Sequence, residues 1–151
     1  MSSDRFTFRL ERLLSLRQKA EEVAAIALAE ARNAETAAHE AKAALEMHRV
    51  RTQESLTLRA GDTSTVATLR QVALLMEDAD RRIAQADERL TACRTTMLAR
   101  RDVLNAAVQE RRVLGRLKER ALDTWQQAAA RSEQITMDEF AQTRRNGTDI
   151  A

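Results

Sequence analysis

Ala60-Gly61-Asp62-Thr63-Ser64 decides the fold, because in a chain without proline this is where glycine and cap-forming side chains coincide. Gly61 is able to take the left-handed conformation that closes a helix, and Asp62, Thr63 or Ser64 offers an oxygen to the orphan amides that open the next one. Helical periodicity flanks the stretch on both sides, so it predicts one break between two helices. The first is expected over about residues 5–59, the turn over about 60–64 and the second helix over about 63–145. The expected fold class is all-α: one long antiparallel coiled-coil hairpin spanning the single domain 1–151, with the C-terminal helix overhanging. Equal counting from Asp62, at a common rise of about 1.5 Å per residue, sets Arg5 opposite Glu119. Beyond Asp123 the second helix is then expected to have no partner.

Composition points the same way. The chain is 44% hydrophobic but 3% aromatic, with 32% charged residues of both signs interspersed, which is the composition of a soluble coiled coil rather than of a compact core. The aromatic residues Phe6, Phe8, Trp125 and Phe140 all lie towards the chain ends. A formal net charge of +2 gives no strong field, so neither nucleic-acid binding nor membrane-surface attraction is implied. No apolar run of about 20 residues occurs, so no membrane insertion is expected, and the early charges Asp4 and Arg5 argue against a cleavable leader. Cys93, the single cysteine, falls on an apolar helical seam and reads as a buried thiol of a reducing compartment.

Working outward from the break, the first helix carries a seam through Leu10, Leu13, Arg17, Ala20, Ala24, Ala27, Ala31, Ala34, Ala38, Ala41 and Leu45. Alanine at most of these positions buries little area but allows close helix approach. The seam degrades through His48 and Thr52, while Met47, Val50, Leu56 and Leu58 place apolar groups elsewhere before the break, where a partner is expected to dock. At the start, Phe6-Thr7-Phe8 is expected on the opening turns of the helix, with Ser3 or Asp4 as cap.

The second helix has the clearer period. Leu69, Val72, Met76, Ala79, Ile83, Ala86, Leu90, Cys93, Met97, Arg100, Leu104, Ala107, Arg111, Leu114, Lys118, Ala121, Trp125, Ala128, Ser132 and Ile135 alternate at three- and four-residue steps. Arginines accumulate in its distal part, where they read first as snorkelling side chains over a thin partner and second as a basic collar for an acidic one. Gly115 costs about 1 kcal/mol relative to alanine in mid-helix and marks a flexing point, not a boundary. Asn146-Gly147 is expected to cap the end.

No catalytic constellation is present: there is no phosphate-cradling glycine loop, no paired nucleophile and base, and His39 and His48 lack metal spacing. A non-enzymatic protein with no cofactor and no metal is expected.

Phe8-Arg9-Leu10-Glu11-Arg12-Leu13-Leu14-Ser15-Leu16-Arg17, then Lys19-Ala20-Glu21-Glu22 and an alanine-rich arm, resembles the start of the flagellar export protein FliJ family. Met137-Asp138-Glu139-Phe140-Ala141-Gln142 resembles that family's ending, and the likeness covers essentially the whole chain. The resemblance implies a long antiparallel coiled coil, similar to the stalk of rotary ATPases, that binds the hexameric export ATPase of the flagellar type III apparatus. It further implies links to the membrane export gate and to export chaperones, and a cytoplasmic location at the inner membrane. The best matches to the family's gate contact are Val72, Met76 and Ala79, with Leu45 opposite. If the hairpin is a stalk, Phe6, Phe8, Trp125 and Phe140 are the expected apolar anchors in the ATPase ring, with Arg111, Arg112, Arg116 and Arg120 as a basic collar. The alternatives are the equivalent protein of a virulence secretion system, a coiled-coil holdase chaperone, and a nucleic-acid-binding coiled coil. The holdase reading lacks a strand-rich body, and the nucleic-acid reading lacks stacking aromatics.

Overall fold

The computed structural model describes residues 5–59 and 65–148, with side chains described as far as residue 145. The predicted turn at 60–64, Gly61 and its candidate caps, and the candidate N-caps Ser3 and Asp4 lie outside the described residues. The described chain is all-α: α1 spans Glu11–Arg59 and α2 spans Val66–Thr148. The helices pair antiparallel in an α-helical hairpin that divides into two units. An inner unit takes Glu22–Asn105, and a terminal unit takes the chain up to Glu21 together with the chain from Ala106 onward.

Both helix starts differ from the expected ones. α1 opens at Glu11, not near Arg5, with the amide of Glu11 donating to the carbonyl of Phe8 at 3.1 Å and that of Leu14 to Leu10 at 2.9 Å. Phe6-Thr7-Phe8 precedes the helix because Phe6 leaves the helical path to meet Trp125. Glu11 in the first turn suits the positive end of the helix dipole. α2 opens at Val66 rather than Thr63, and Thr65 is its cap: the Thr65 hydroxyl accepts from the amide of Thr68 at 3.4 Å. At the far end α2 runs through Asn146 and Gly147 to Thr148, past the predicted stop.

In the inner unit α2 presents the expected seam. Val72, Met76, Ala79, Ile83, Ala86, Cys93, Met97 and Leu104 are half-buried, and Leu90 is 3% exposed. Leu69 and Arg100 stay exposed. On α1 only half of the expected seam faces α2. Ala24, Ala31 and Ala38 are buried and Leu45 and Thr52 half-buried, but the alternate positions lie one residue further on. They are Leu28, Glu35, Lys42, Arg49 and Leu56; of the expected positions Ala27 is half-buried beside Leu28, while Ala34, Ala41 and His48 are exposed. The physical reason is that alanines occupy both sets, so burial discriminates weakly between them, while the second set gains Leu28 and three cross-helix ion pairs.

In the terminal unit Leu14 of α1 and Leu114 of α2 are buried, and Ala107, Arg111, Lys118 and Ala121 are half-buried. Glu11, which counting from Asp62 would set opposite Val113, meets Lys118 at 2.8 Å. The register therefore carries the contact further along α2 than expected, and Trp125 is not beyond it.

Candidate functional site

Two surfaces contain the predicted site residues, one in each unit. In the terminal unit the residues before α1 cross to α2, where the rings of Phe6 and Trp125 lie 6.0 Å apart and tilted by 57°. The spacing lies within the range in which aromatic pairs attract. Trp125 nevertheless stays 38% exposed, and Phe8 is half-buried. The predicted overhang thus begins after Trp125. From Arg131 to Arg145 every side chain is exposed, with Ile135, Met137 and Phe140 at 60%, 71% and 67%. Phe140 lies about four turns beyond Trp125 and is not brought to the other aromatics.

The four arginines of the predicted collar separate into two kinds. Arg111 turns into the helix pair and bonds Glu21, so its charge is already matched. Arg112, Arg116 and Arg120 are exposed, follow one another at four-residue steps on one face of α2, and make no ion pair among the described residues. Around them Arg17 pairs with Glu110 at 2.6 Å and Lys118 with Glu11 at 2.8 Å. The snorkelling reading holds for Arg111 and Lys118, while the row of three is open to a partner.

In the inner unit Leu45, Val72, Met76 and Ala79 are all half-buried along the seam between α1 and α2. Leu45 and Ala79 share a groove of about 240 Å³ with His48, Thr52 and Leu75. The surface offered outward there belongs to other residues: Val50 and Leu58 of α1 and Val66, Leu74 and Leu75 of α2 are 51–85% exposed. Leu74 and Leu75 escape a reading of the sequence that follows the heptad seam, because such a reading discards residues off it, yet leucines off the seam are the signal that finds this surface.

The inner unit also carries a ladder of ion pairs. Glu35 accepts from Arg94 at 3.1 Å, Lys42 donates to Asp87 at 2.5 Å, and Arg49 donates to Asp80 at 2.5 Å. Successive members stand one heptad apart on each helix, in opposite senses, as in the flanking pairs of coiled coils. The hydrogen bond from Arg49 holds the Asp80 carboxyl below the usual carboxylate range, and that from Lys42 does the same to Asp87. Asp87 in turn raises the Lys42 ammonium, against a smaller lowering by desolvation, with Glu46 at 3.8 Å adding a little.

On one side of this seam lies an open groove of about 480 Å³, walled by alanines of α1 and by Arg82, Arg89 and Cys93 of α2. Among the described residues no group of three His, Cys, Asp or Glu side chains gathers to hold a metal, and no helix is long and apolar enough to cross a membrane.

The family model described as "Flagellar FliJ protein" matches residues 6–147. No curated protein and no solved structure matches the chain.

Proposed function

The chain belongs to the flagellar FliJ family and is a component of the flagellar protein-export apparatus, and from that premise we propose that it works there as a stalk-like coiled coil between partners. The terminal unit engages the hexameric export ATPase, the inner unit engages the membrane export gate near the bend, and export chaperones are escorted along the way. The observation that carries this reading is the state of the terminal unit. There an exposed helical extension with Ile135, Met137 and Phe140 follows directly on a half-covered Trp125 and an unmatched row of Arg112, Arg116 and Arg120. A long helix with exposed aromatic and aliphatic residues is marginal alone in water, and aromatic and arginine side chains are the usual carriers of interface energy. Phe6 sits against Trp125 and, with Phe8, would share in the contact, whereas Arg111 contributes by holding Glu21. On the gate side, Leu45, Val72, Met76 and Ala79 keep the helices together while Leu58, Leu74 and Leu75 supply the exposed apolar area.

The test deletes Gln126 to Ala151, which spares the Phe6–Trp125 contact and the helix pair. Binding of the purified full chain and of the deletion to the export ATPase hexamer is measured by sedimentation, with helix content followed by circular dichroism. Loss of ATPase binding with the remaining helix retained supports the reading. Unchanged binding overturns the ring assignment. In parallel, serine at Leu74 and Leu75 should weaken gate binding and leave ATPase binding intact, and equal loss of both would overturn the division of labour between the units.

A further inference from the structure

We propose that the terminal unit receives one acidic amphipathic helix of its partner, seated in a valley where Leu13 and Leu16 of α1 and Val113 and Leu117 of α2 lie exposed between two lines of bases. Arg116 and Arg120, which form one of those lines, are already given to the export ATPase, so the helix is taken to be the ATPase's and its source rests on that reading.

The four aliphatic side chains share one flank of the unit. Arg17 bonds Glu110 at 2.6 Å across the helix pair. Leu13 stands one turn before Arg17 on α1, and Leu117 stands one heptad after Glu110 on α2. Leu16 and Val113 come three residues after Leu13 and Glu110, so all four lie on the side that this ion pair marks. Lys118 opposite Glu11 sets the level, which places Leu13 near Leu117 and Leu16 near Val113 along the axis. Their exposure is graded: Leu13 and Leu117 are 38% and 42% exposed, Leu16 and Val113 62% and 57%. The first two therefore lie lower than the second two, which is the profile of a valley between helices. What fills such a valley is a third helix, whereas a flat lipid surface meets the upper pair alone.

The border is basic on both sides. Arg12 and Lys19 stand four residues before and three after Leu16, and Arg116 and Arg120 stand three residues after Val113 and Leu117. All four are exposed, and none makes an ion pair among the described residues. The described acids on this flank leave the bases uncompensated: Glu110 accepts from Arg17, and Asp123, past the end of the aliphatic group, accepts from Gln127 at 3.0 Å. The occupant that these charges select is a helix with an aliphatic stripe and carboxylates to both sides of it. A second copy of the same flank is selected against, because bases would meet bases. The aliphatic contact is small, so the helix alone binds weakly.

The probe is a synthetic amphipathic helix of about three heptads, with a leucine stripe flanked by glutamates. A control peptide keeps the leucines and carries lysines for the glutamates, and vesicles of phosphatidylglycerol present negative charge without a helix. The acidic peptide should bind the full chain, the lysine peptide should not, and binding should weaken with added salt. Leu16→Ser with Val113→Ser, and separately Arg12→Glu with Lys19→Glu, should each weaken it at least about tenfold. These positions are exposed, so helix content by circular dichroism should match that of the wild type. The same variants should weaken binding to the export ATPase hexamer, and the chain lacking Gln126 to Ala151 should still bind the peptide. No binding of the acidic peptide, equal binding of both peptides, or binding indifferent to the variants would each overturn the valley. Binding of vesicles without binding of peptide would overturn it in favour of a lipid surface. Variants that lose the peptide but keep the hexamer would overturn the ATPase as the source of the helix. A tail deletion that keeps the hexamer, with the valley variants losing it, would overturn only the tail's part in ring binding and would support the valley.

Discussion

The inner and terminal units are built from the same two helices, both carry cross-helix ion pairs, and they differ in what they bury. The inner unit buries Ala24, Ala31 and Ala38 together with Leu28 and Leu90, and carries a heptad-spaced ion ladder. The terminal unit buries Leu14 and Leu114, adds the aromatic pair Phe6–Trp125, and then lets α2 continue with its side chains exposed. The difference teaches how each is stabilised. A seam that is mostly alanine gains little from burial, so its choice of register falls to charges. A terminal unit that has aromatics to spare leaves some of them uncovered.

The ladder is suited to fixing register because its sign changes along the helix. On α1 the order is acid at Glu35 and base at Lys42 and Arg49, answered on α2 by base at Arg94 and acid at Asp87 and Asp80. A slip of one heptad brings Glu35 onto Asp87 in one direction or Lys42 onto Arg94 in the other. Either slip sets like charges opposite each other. Pairing two copies of α1 in parallel would do so at every rung. The arrangement therefore favours the intramolecular antiparallel pair over alternatives that an alanine seam alone would tolerate.

The largest effect should come from the inner core. Leu90, 3% exposed, is the most buried side chain of the described residues, and Leu90→Ala should destabilise by about 2–5 kcal/mol in chemical denaturation followed by circular dichroism. A loss well under 1 kcal/mol would mean that the inner unit is held by its ion pairs rather than by packing, reversing the comparison.

Next in size is a gain in the terminal unit. A Cβ placed on Gly115 would meet nothing within 4 Å, so Gly115→Ala removes backbone freedom without a clash. It should stabilise by about 1 kcal/mol, the glycine–alanine difference in a helix interior. Destabilisation would show that α2 departs from ordinary helix geometry at this point in solution.

A smaller effect attaches to the ladder. Glu35→Arg sets two guanidinium groups face to face with Arg94, and adding Arg94→Glu restores an opposite pair in the reverse sense. The double-mutant coupling should be under about 1 kcal/mol, because Glu35 and Arg94 are 23% and 53% exposed at the side chain. A coupling of zero would leave register to packing alone.

How far these features are legible in the sequence follows from residue size. α2 is readable almost position by position, since Val72, Met76, Ile83, Leu90, Met97, Leu104 and Leu114 mark a heptad that no neighbouring face imitates. α1 is half readable: Ala20, Ala27, Ala34 and Ala41 imitate a seam one residue away from Glu21, Leu28, Glu35 and Lys42. Only the charges on α2 tell the two apart, and a single helix read alone does not contain them. Phe6 and Phe8 stand out in the sequence as residues, but their place before α1 depends on Trp125, more than a hundred residues away. For the same reason the sequence alone does not separate Arg111 from the collar: its partner Glu21 becomes a neighbour only once the register is known.

The smallest effect concerns acid, and its sign follows from the ladder. Asp80 and Asp87 are held below the usual carboxylate range by hydrogen bonds from Arg49 and Lys42. A group whose pKa is lower in the folded state contributes stability that is present above its unfolded value, about 4, and is lost as pH falls through the folded value. The inner unit should accordingly be indifferent to pH between about 5 and 8 on account of these two groups and should weaken progressively below about 4. Arg94 lies near enough to Asp87 to act in the same direction as Lys42. Both carboxylates are solvent-exposed, so the shift in melting temperature is modest and shrinks with added salt. Other acids titrate in the same range, and the assignment therefore rests on a difference. With Asp80→Asn and Asp87→Asn together, the drop in melting temperature between about pH 5 and pH 3 should be smaller than in the wild type. An identical drop in both proteins would place the acid sensitivity outside the inner ladder.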